Sequence, residues 1–136
     1  MIDKNQMDKL FAEAQKIAEM AYAPYSNFRV GAALFCEDGE TVTGVNVENR
    51  SFGLTVCAER NAIGTAVAMG KRRFIALAVS TPDSEAPVGP CGACRQVISE
   101  FMPPDAPVRF AGCGKDQVNT TVGTLYPLDS LHELRN

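Results

Sequence analysis

The run Phe74-Ile75-Ala76-Leu77-Ala78-Val79 is apolar at every position. A strand of that composition has no side to turn toward water, so it belongs inside a sheet covered on both faces. The flanking segments supply the cover. Met7, Leu10, Phe11, Ala14, Ile17, Ala18 and Ala21 recur at three- and four-residue steps, one face of an amphipathic helix that Pro24 stops. A second helix starts near Cys57, carries Ala58, Ala62, Ile63, Ala66 and Val67 on related faces, and ends at Gly70, where a residue without Cβ suits a cap. After the loop TPDSEAPVGP a third helical pattern opens at Cys91-Gly92-Ala93-Cys94 and runs through Val97, Ile98 and Phe101 to Pro103-Pro104. Upstream, FRVGAALF from Phe28 and TVTGVNV read as two strands turned at Asp38-Gly39. Downstream, PVRFAG and QVNTTVGT read as two more, and LDSLHELRN as a short terminal helix opened by an Asp or Ser cap. Strands alternating with helices predict an α/β fold with a mixed sheet and a leading antiparallel hairpin.

With 136 residues, 46% of them hydrophobic, the chain can bury a sufficient core as one domain, residues 1–136. A net charge of -3 without a basic block argues against nucleic acid as a partner and favours a small or neutral ligand. The opening IDKNQMDKLF has neither the charge nor the apolar core of a leader, and no stretch is apolar enough to cross a membrane, so a soluble, cytoplasmic protein is expected. Five cysteines in a reducing compartment point to metal ligands, catalytic thiols or buried apolar groups rather than disulfides. Cys36 and Cys113 lie within strand-like apolar runs and read as buried small hydrophobes. His132, on the terminal segment, reads as a surface or interface residue and not as a metal ligand.

Cys57 opens one helix, and Cys91 and Cys94 open the next. Backbone N–H groups and the helix dipole favour a thiolate there. If the two N-termini lie side by side, the three sulfurs fill three positions of a tetrahedral zinc site and leave one for water. Three anionic sulfurs weaken the metal as a Lewis acid, and the Arg60 guanidinium can offset this by drawing on a thiolate. Glu59, on another face of the same first turn, is placed to face the metal-bound water as a proton acceptor. Taken alone, C-x-x-C fits a redox or structural-zinc motif equally well, but a thioredoxin-like dithiol has no use for the distant Cys57-Ala58-Glu59.

Cys57-Ala58-Glu59-Arg60 followed by Pro90-Cys91-Gly92-Ala93-Cys94-Arg95-Gln96 resembles the zinc-dependent cytidine deaminases, in their small homotetrameric form with three cysteine ligands. The segment from Ala23 to Ala33, APYSNFRVGAA, resembles that family's N-terminal signature, and Gly44-Val45-Asn46-Val47-Glu48-Asn49 its nucleoside-binding strand. The resemblance implies a three-layer fold with a mixed five-stranded sheet flanked by helices. It also implies one Zn2+ per subunit on Cys57, Cys91 and Cys94, with Arg60 behind the ligands. Glu59 would take a proton from the zinc-bound water, pass it to N3 of cytosine and later protonate the departing amine. Asn46 and Glu48 would bind the ribose 3'-hydroxyl, Phe28 would lie against the pyrimidine, and Ala58 would join the substrate site. The implied reaction is hydrolytic deamination of cytidine and 2'-deoxycytidine to uridine and 2'-deoxyuridine, a step of pyrimidine salvage, in a homotetramer with active sites near subunit interfaces.

Two places depart from the family pattern. Arg50-Ser51-Phe52 stands where the family commonly has a small pair and a tyrosine, and no phenylalanine follows Tyr126-Pro127-Leu128 to close over a neighbour's substrate. Arg50 reads as a solvated or salt-bridged interface group, with a contact to the 5' side of the sugar as the sharper alternative. A blasticidin-S deaminase should lose the ribose-reading carboxylate, and Glu48 is present. A nucleic-acid-editing deaminase would bring a basic groove and usually a histidine ligand. A non-catalytic zinc module would need a fourth ligand or lack Glu59.

Overall fold

The apolar run becomes β3, Phe74–Thr81, at the centre of a five-stranded sheet ordered β2-β1-β3-β4-β5. The computed structural model describes residues 2–134. Around β3 lie α1 (Lys4–Ala18), β1 (Gly31–Cys36), β2 (Thr41–Val45), α2 (Ala58–Ala68), α3 (Gly92–Phe101), β4 (Pro107–Gly112), β5 (Gln117–Thr121) and α4 (Val122–Leu125), with single 3-10 turns at Phe52–Leu54 and His132–Leu134. β1 is antiparallel to β2 and to β3, β3 is parallel to β4, and β4 is antiparallel to β5. The mixed five-stranded sheet in three layers is therefore present.

Alternation along the strands decides which helix goes where. Ala33, Ala76 and Ala78 face one side and pack with Met7, Leu10 and Ala14 of α1. Leu34, Leu77 and Val79 face the other and share a core with Ala62, Ile63 and Ala66 of α2 and Cys94 and Ile98 of α3. Phe74, Leu34, Leu77, Ile98 and Met102 are fully buried there, each contributing about 1.5 to 3 kcal/mol of transfer free energy. Gly44 lets the backbones of β2 and α2 meet: a Cβ there would stand 2.4 Å from the Ala62 nitrogen and 2.6 Å from the Ala58 carbonyl oxygen. Gly44→Ala must push α2 off the sheet, and a loss of about 1 to 3 kcal/mol in chemical denaturation is expected. An unchanged midpoint would show that α2 is not seated on that glycine.

The topology brings two helix starts together. Since β1 runs against both its neighbours, β2 and β3 point the same way, and β4 follows β3. The connections β2-α2-β3 and β3-α3-β4 step across the sheet in one direction, and crossovers of one hand set both helices on one face. Each helix leaves the C-terminal end of its strand. The N-termini of α2 and α3 thus lie at the same edge of the sheet.

Local signals act largely as the sequence predicts. Gly39 at φ 90° turns the hairpin, and at the start of α1, where the sequence reading names no cap, Asp3 and Gln6 form a reciprocal capping box. Gly70, also at φ 90°, ends α2, with the Lys71 amide reaching back to the Ala66 carbonyl at 3.0 Å. Other expectations need correction. α1 stops at Ala18 rather than at Pro24, leaving Ala21 beyond it, because the chain peels away for the Tyr22 amide to reach the Asn46 carbonyl at 3.0 Å. The first strand begins at Gly31, not Phe28, since the Phe28 carbonyl and the Val30 amide bond to the Asn46 side chain. The second ends at Val45, before Asn46 and Val47. QVNTTVGT is strand only to Thr121, whose hydroxyl accepts the Thr124 amide and caps α4. LDSLHELRN holds a 3-10 turn, preceded by Asp129 accepting the Leu131 amide, while the His132 side chain, Arg135 and Asn136 lie outside the described residues. Cys36 is buried, but Cys113 is exposed, because β4 ends one residue earlier at Gly112. Among the described residues no helix is long and apolar enough to cross a membrane.

Candidate active site

Cys57 is the N-cap of α2 and Cys91 that of α3, positions usually held by Ser, Thr, Asp or Asn. Neither side chain caps its helix, so both sulfurs remain available for another partner. Cys94, on the first turn of α3, completes the group. The Cys57 and Cys91 sulfurs are 3.7 Å apart, and all three lie within 4.8 Å of one another. Sulfurs bound at about 2.3 Å to one tetrahedral ion stand about 3.8 Å apart, so the donor set fits zinc in both chemistry and spacing. Cys94 is buried, Cys57 partly buried and Cys91 exposed, which leaves the cluster approachable from one side.

The surrounding charges fit the same purpose. Arg60 donates from Nη2 to the Cys57 sulfur at 3.3 Å. Hydrogen bonding from Cys94, then from Arg60 and Cys91, outweighs burial and holds the Cys57 thiol down at about 5. Cys94 is pushed the other way, by Cys57 and then by burial. Glu59 is 4% exposed, and its carboxyl is raised to about 7, first by burial and further by the Cys57 charge.

A second group of residues joins this cluster through the end of β2. Val47 and Val56 exchange backbone hydrogen bonds at 3.0 Å, directly before Cys57. Asn61, one turn into α2, donates from Nδ2 to the carbonyls of Val45 at 2.8 Å and Val56 at 3.4 Å. Asn46 and Glu48 therefore flank a bridge that leads straight into the cysteine helix. Asn46 is buried; its Oδ1 accepts the Val30 amide at 2.9 Å and its Nδ2 donates to the Phe28 carbonyl at 2.8 Å. One amide hydrogen and one lone pair are left over for a further partner. Glu48 Oε1 accepts the Tyr25 and Ser26 amides at 3.0 and 3.2 Å, and Oε2 accepts the Ser26 hydroxyl. These bonds, the Ser26 hydroxyl foremost, keep the Glu48 carboxyl below its ordinary range.

Phe28 is partly buried and outside any strand, and Ala58 is fully buried against Gly44. Arg50 is exposed, as is Phe52, whose ring centroid lies 6.0 Å from that of Tyr25. Sequence reasoning did not single out Ser26 or Asn61. Ser26 stood within the signature segment, but the partners of Asn61 are main-chain carbonyls, which leave no local signal.

A family model described as the cytidine and deoxycytidylate deaminase zinc-binding region matches residues 4–109. A cytidine deaminase of Sporosarcina psychrophila is 51% identical over 121 residues, which span 89% of this chain and 88% of that protein. One from Halalkalibacterium halodurans is 48% identical over 118 residues, 87% of this chain and 89% of that protein. Among solved structures, the cytidine deaminase from Burkholderia pseudomallei matches with a TM-score of 0.83 and 46% identity, covering 88% of this chain and 95% of that one. A likeness of this length, carried by a fold that gathers three thiols at the starts of two helices, means that the chain belongs to the cytidine and deoxycytidylate deaminase family.

Proposed function

We propose that this chain is a zinc-dependent hydrolase that converts cytidine and 2'-deoxycytidine to uridine and 2'-deoxyuridine with release of ammonia. The observation that carries the reading is the buried Glu59 carboxyl beside three thiols at tetrahedral zinc spacing. When bound, zinc supplies a Lewis acid that brings the pKa of water down toward 7. Glu59 takes a proton from the attacking water and delivers it to N3 of the pyrimidine. It then carries the proton of the new C4 hydroxyl to the departing amine, so water and cytidine leave as uridine and ammonia. A carboxyl held near neutrality by burial suits both directions of transfer. Arg60 withdraws charge from the Cys57 sulfur and keeps the three thiolates from quenching the site.

The remaining Asn46 amide hydrogen donates to the ribose 3'-hydroxyl, and Glu48 accepts from it, while Phe28 lies against the ring. Ala58, next to Glu59 at the head of α2, joins the same site. Nothing in this set reads the 2'-hydroxyl. Ammonia release from cytidine and 2'-deoxycytidine, with zinc measured on the same sample, tests the reading. Values of kcat/KM within about 100-fold of each other, roughly 2.7 kcal/mol, are expected. A larger gap overturns the ribose assignment, and zinc-loaded protein that turns over neither nucleoside, or only blasticidin S, overturns the function.

Assembly as a homotetramer with active sites near the interfaces, in the cytoplasm and in pyrimidine salvage, belongs to the same reading. Phe52 and Leu54 are 75% and 66% exposed, the Phe52 ring lies beside exposed Tyr25, and exposed Tyr22 bridges exposed Val47. An apolar face of this kind supports burial against a second copy, with Arg50 at its rim. Light scattering that finds a monomer would refute the assembly alone.

A further inference from the structure

The segment Tyr25–Val30 precedes β1 and belongs to neither helix nor strand, yet every one of its backbone amides is bonded. Tyr25 and Ser26 donate to Glu48, Asn27 to the Ala23 carbonyl at 2.9 Å, and Phe28 to the Ser26 hydroxyl at 3.0 Å. Arg29 donates to Asp83 Oδ2 at 2.8 Å and Val30 to Asn46 Oδ1 at 2.9 Å. Asn27 sits at φ 57°, a left-handed conformation that asparagine tolerates and that the neighbouring bonds hold in place. Side chains thus do for this loop what a ladder does for a strand. Two of the residues, Asn46 and Glu48, already belong to the proposed ribose site. The third side chain that reaches the loop from outside it, Asp83, has no role in the reaction described above.

Asp83 comes from the turn after β3, and its carboxylate gathers three N–H groups from one residue: the Arg29 amide, Nε at 3.0 Å and Nη2 at 2.8 Å. Arg29 Nη1 continues to Glu19 at 2.8 Å, just past the end of α1. The turn that presents Asp83 is itself fixed. The Ser84 amide donates to the Thr81 carbonyl at 3.1 Å, and the Ser84 carbonyl accepts the Cys113 amide at 2.7 Å. A Cβ on Gly112 would stand 2.0 Å from that Ser84 oxygen, so the turn lies directly on the end of β4.

We propose that Asp83 is a positioning residue of the base site: by holding the Arg29 amide it fixes the backbone on the C-terminal side of Phe28, and with it the place of the Phe28 ring. The proposal rests on the nucleoside reading given above. An ordinary surface ion pair between Asp83 and Arg29 would act on stability alone. The two roles separate because the amide bond and the ion pair can be cut independently. Asp83→Ala removes both, Asp83→Asn keeps an oxygen for the amide and loses the charge, and Arg29→Ala keeps the amide and loses the ion pair.

Wild-type turnover of cytidine tests the nucleoside reading, and the pattern among the variants tests Asp83. Asp83→Ala is expected to raise KM for cytidine about tenfold or more, the scale of one hydrogen bond to a charged group, with kcat within about threefold. Asp83→Asn and Arg29→Ala should both hold KM within about threefold, while Arg29→Ala lowers Tm as Asp83→Ala does. Should Asp83→Ala not fold, Asp83→Ser, too short to span the distance, takes its place. Equal rises in KM for Arg29→Ala and Asp83→Ala, or an unchanged KM in Asp83→Ala or its Ser substitute, would overturn the proposal.

Discussion

Glu59→Gln is expected to lower kcat for cytidine by about 10³ to 10⁴-fold while the protein keeps its zinc. The substitution preserves shape in a site where the side chain is 4% exposed, so packing offers no alternative account of the loss. It removes only the capacity to take up and hand on a proton. Glu59 precedes Arg60, which bonds the Cys57 sulfur, but it is not one of the clustered sulfur ligands. Metal content and activity should therefore part company in this variant. Turnover within about tenfold of wild type would assign the proton transfers elsewhere, and loss of zinc along with activity would make Glu59 a support of the metal rather than a proton carrier.

Removing a sulfur should have the other large effect. Cys94→Ala is expected to lose both bound zinc and activity, whereas Cys36→Ala, at an equally buried cysteine outside the sulfur group, keeps both. The comparison matters because each change deletes one buried sulfur from the same core cluster, and only one deletes a ligand. Cys57 and Cys91 are 34 positions apart, so an ion shared between them closes a long stretch of chain. An ion that binds the folded chain at a concentration far above its Kd adds several kcal/mol of apparent stability, so stripping it from the wild type with a chelator should lower Tm by about 10 °C or more. Zinc bound by Cys94→Ala at wild-type affinity would refute the three-sulfur site.

The parts of the site that lie in short contiguous segments are legible in the sequence. Cys57, Glu59 and Arg60 fall within four positions, and Cys91 and Cys94 open a helix whose pattern runs on to Phe101, so the residue types and their places on helix starts could be read together. What sequence could not supply was the set of bonds that cross the chain. Asp83 meets Arg29 from 54 positions away, and Asn61 bonds a main-chain carbonyl 16 positions before it. The run from Phe28 looked like one strand because Phe28 and Val30 are apolar and alternate correctly. Their backbone groups go instead to the Asn46 side chain, and a side-chain amide that imitates a strand partner leaves no periodic trace. Cys113 failed for a simpler reason: apolar neighbours say little about the residue just after a strand ends.

The hairpin strand β1 between β2 and β3 has one further consequence, which is a matter of dimensions. Adjacent strands lie about 4.8 Å apart, whereas packed helices need about 8 to 10 Å between their axes. Were β2 and β3 direct neighbours, the helices that follow them would compete for the same width of sheet. With β1 inserted, the two strands that launch α2 and α3 stand about 9.6 Å apart, one helix width. The antiparallel strand at the front of the chain is thus a spacer. It sets the gauge at which side chains from two helix ends can share a single ion.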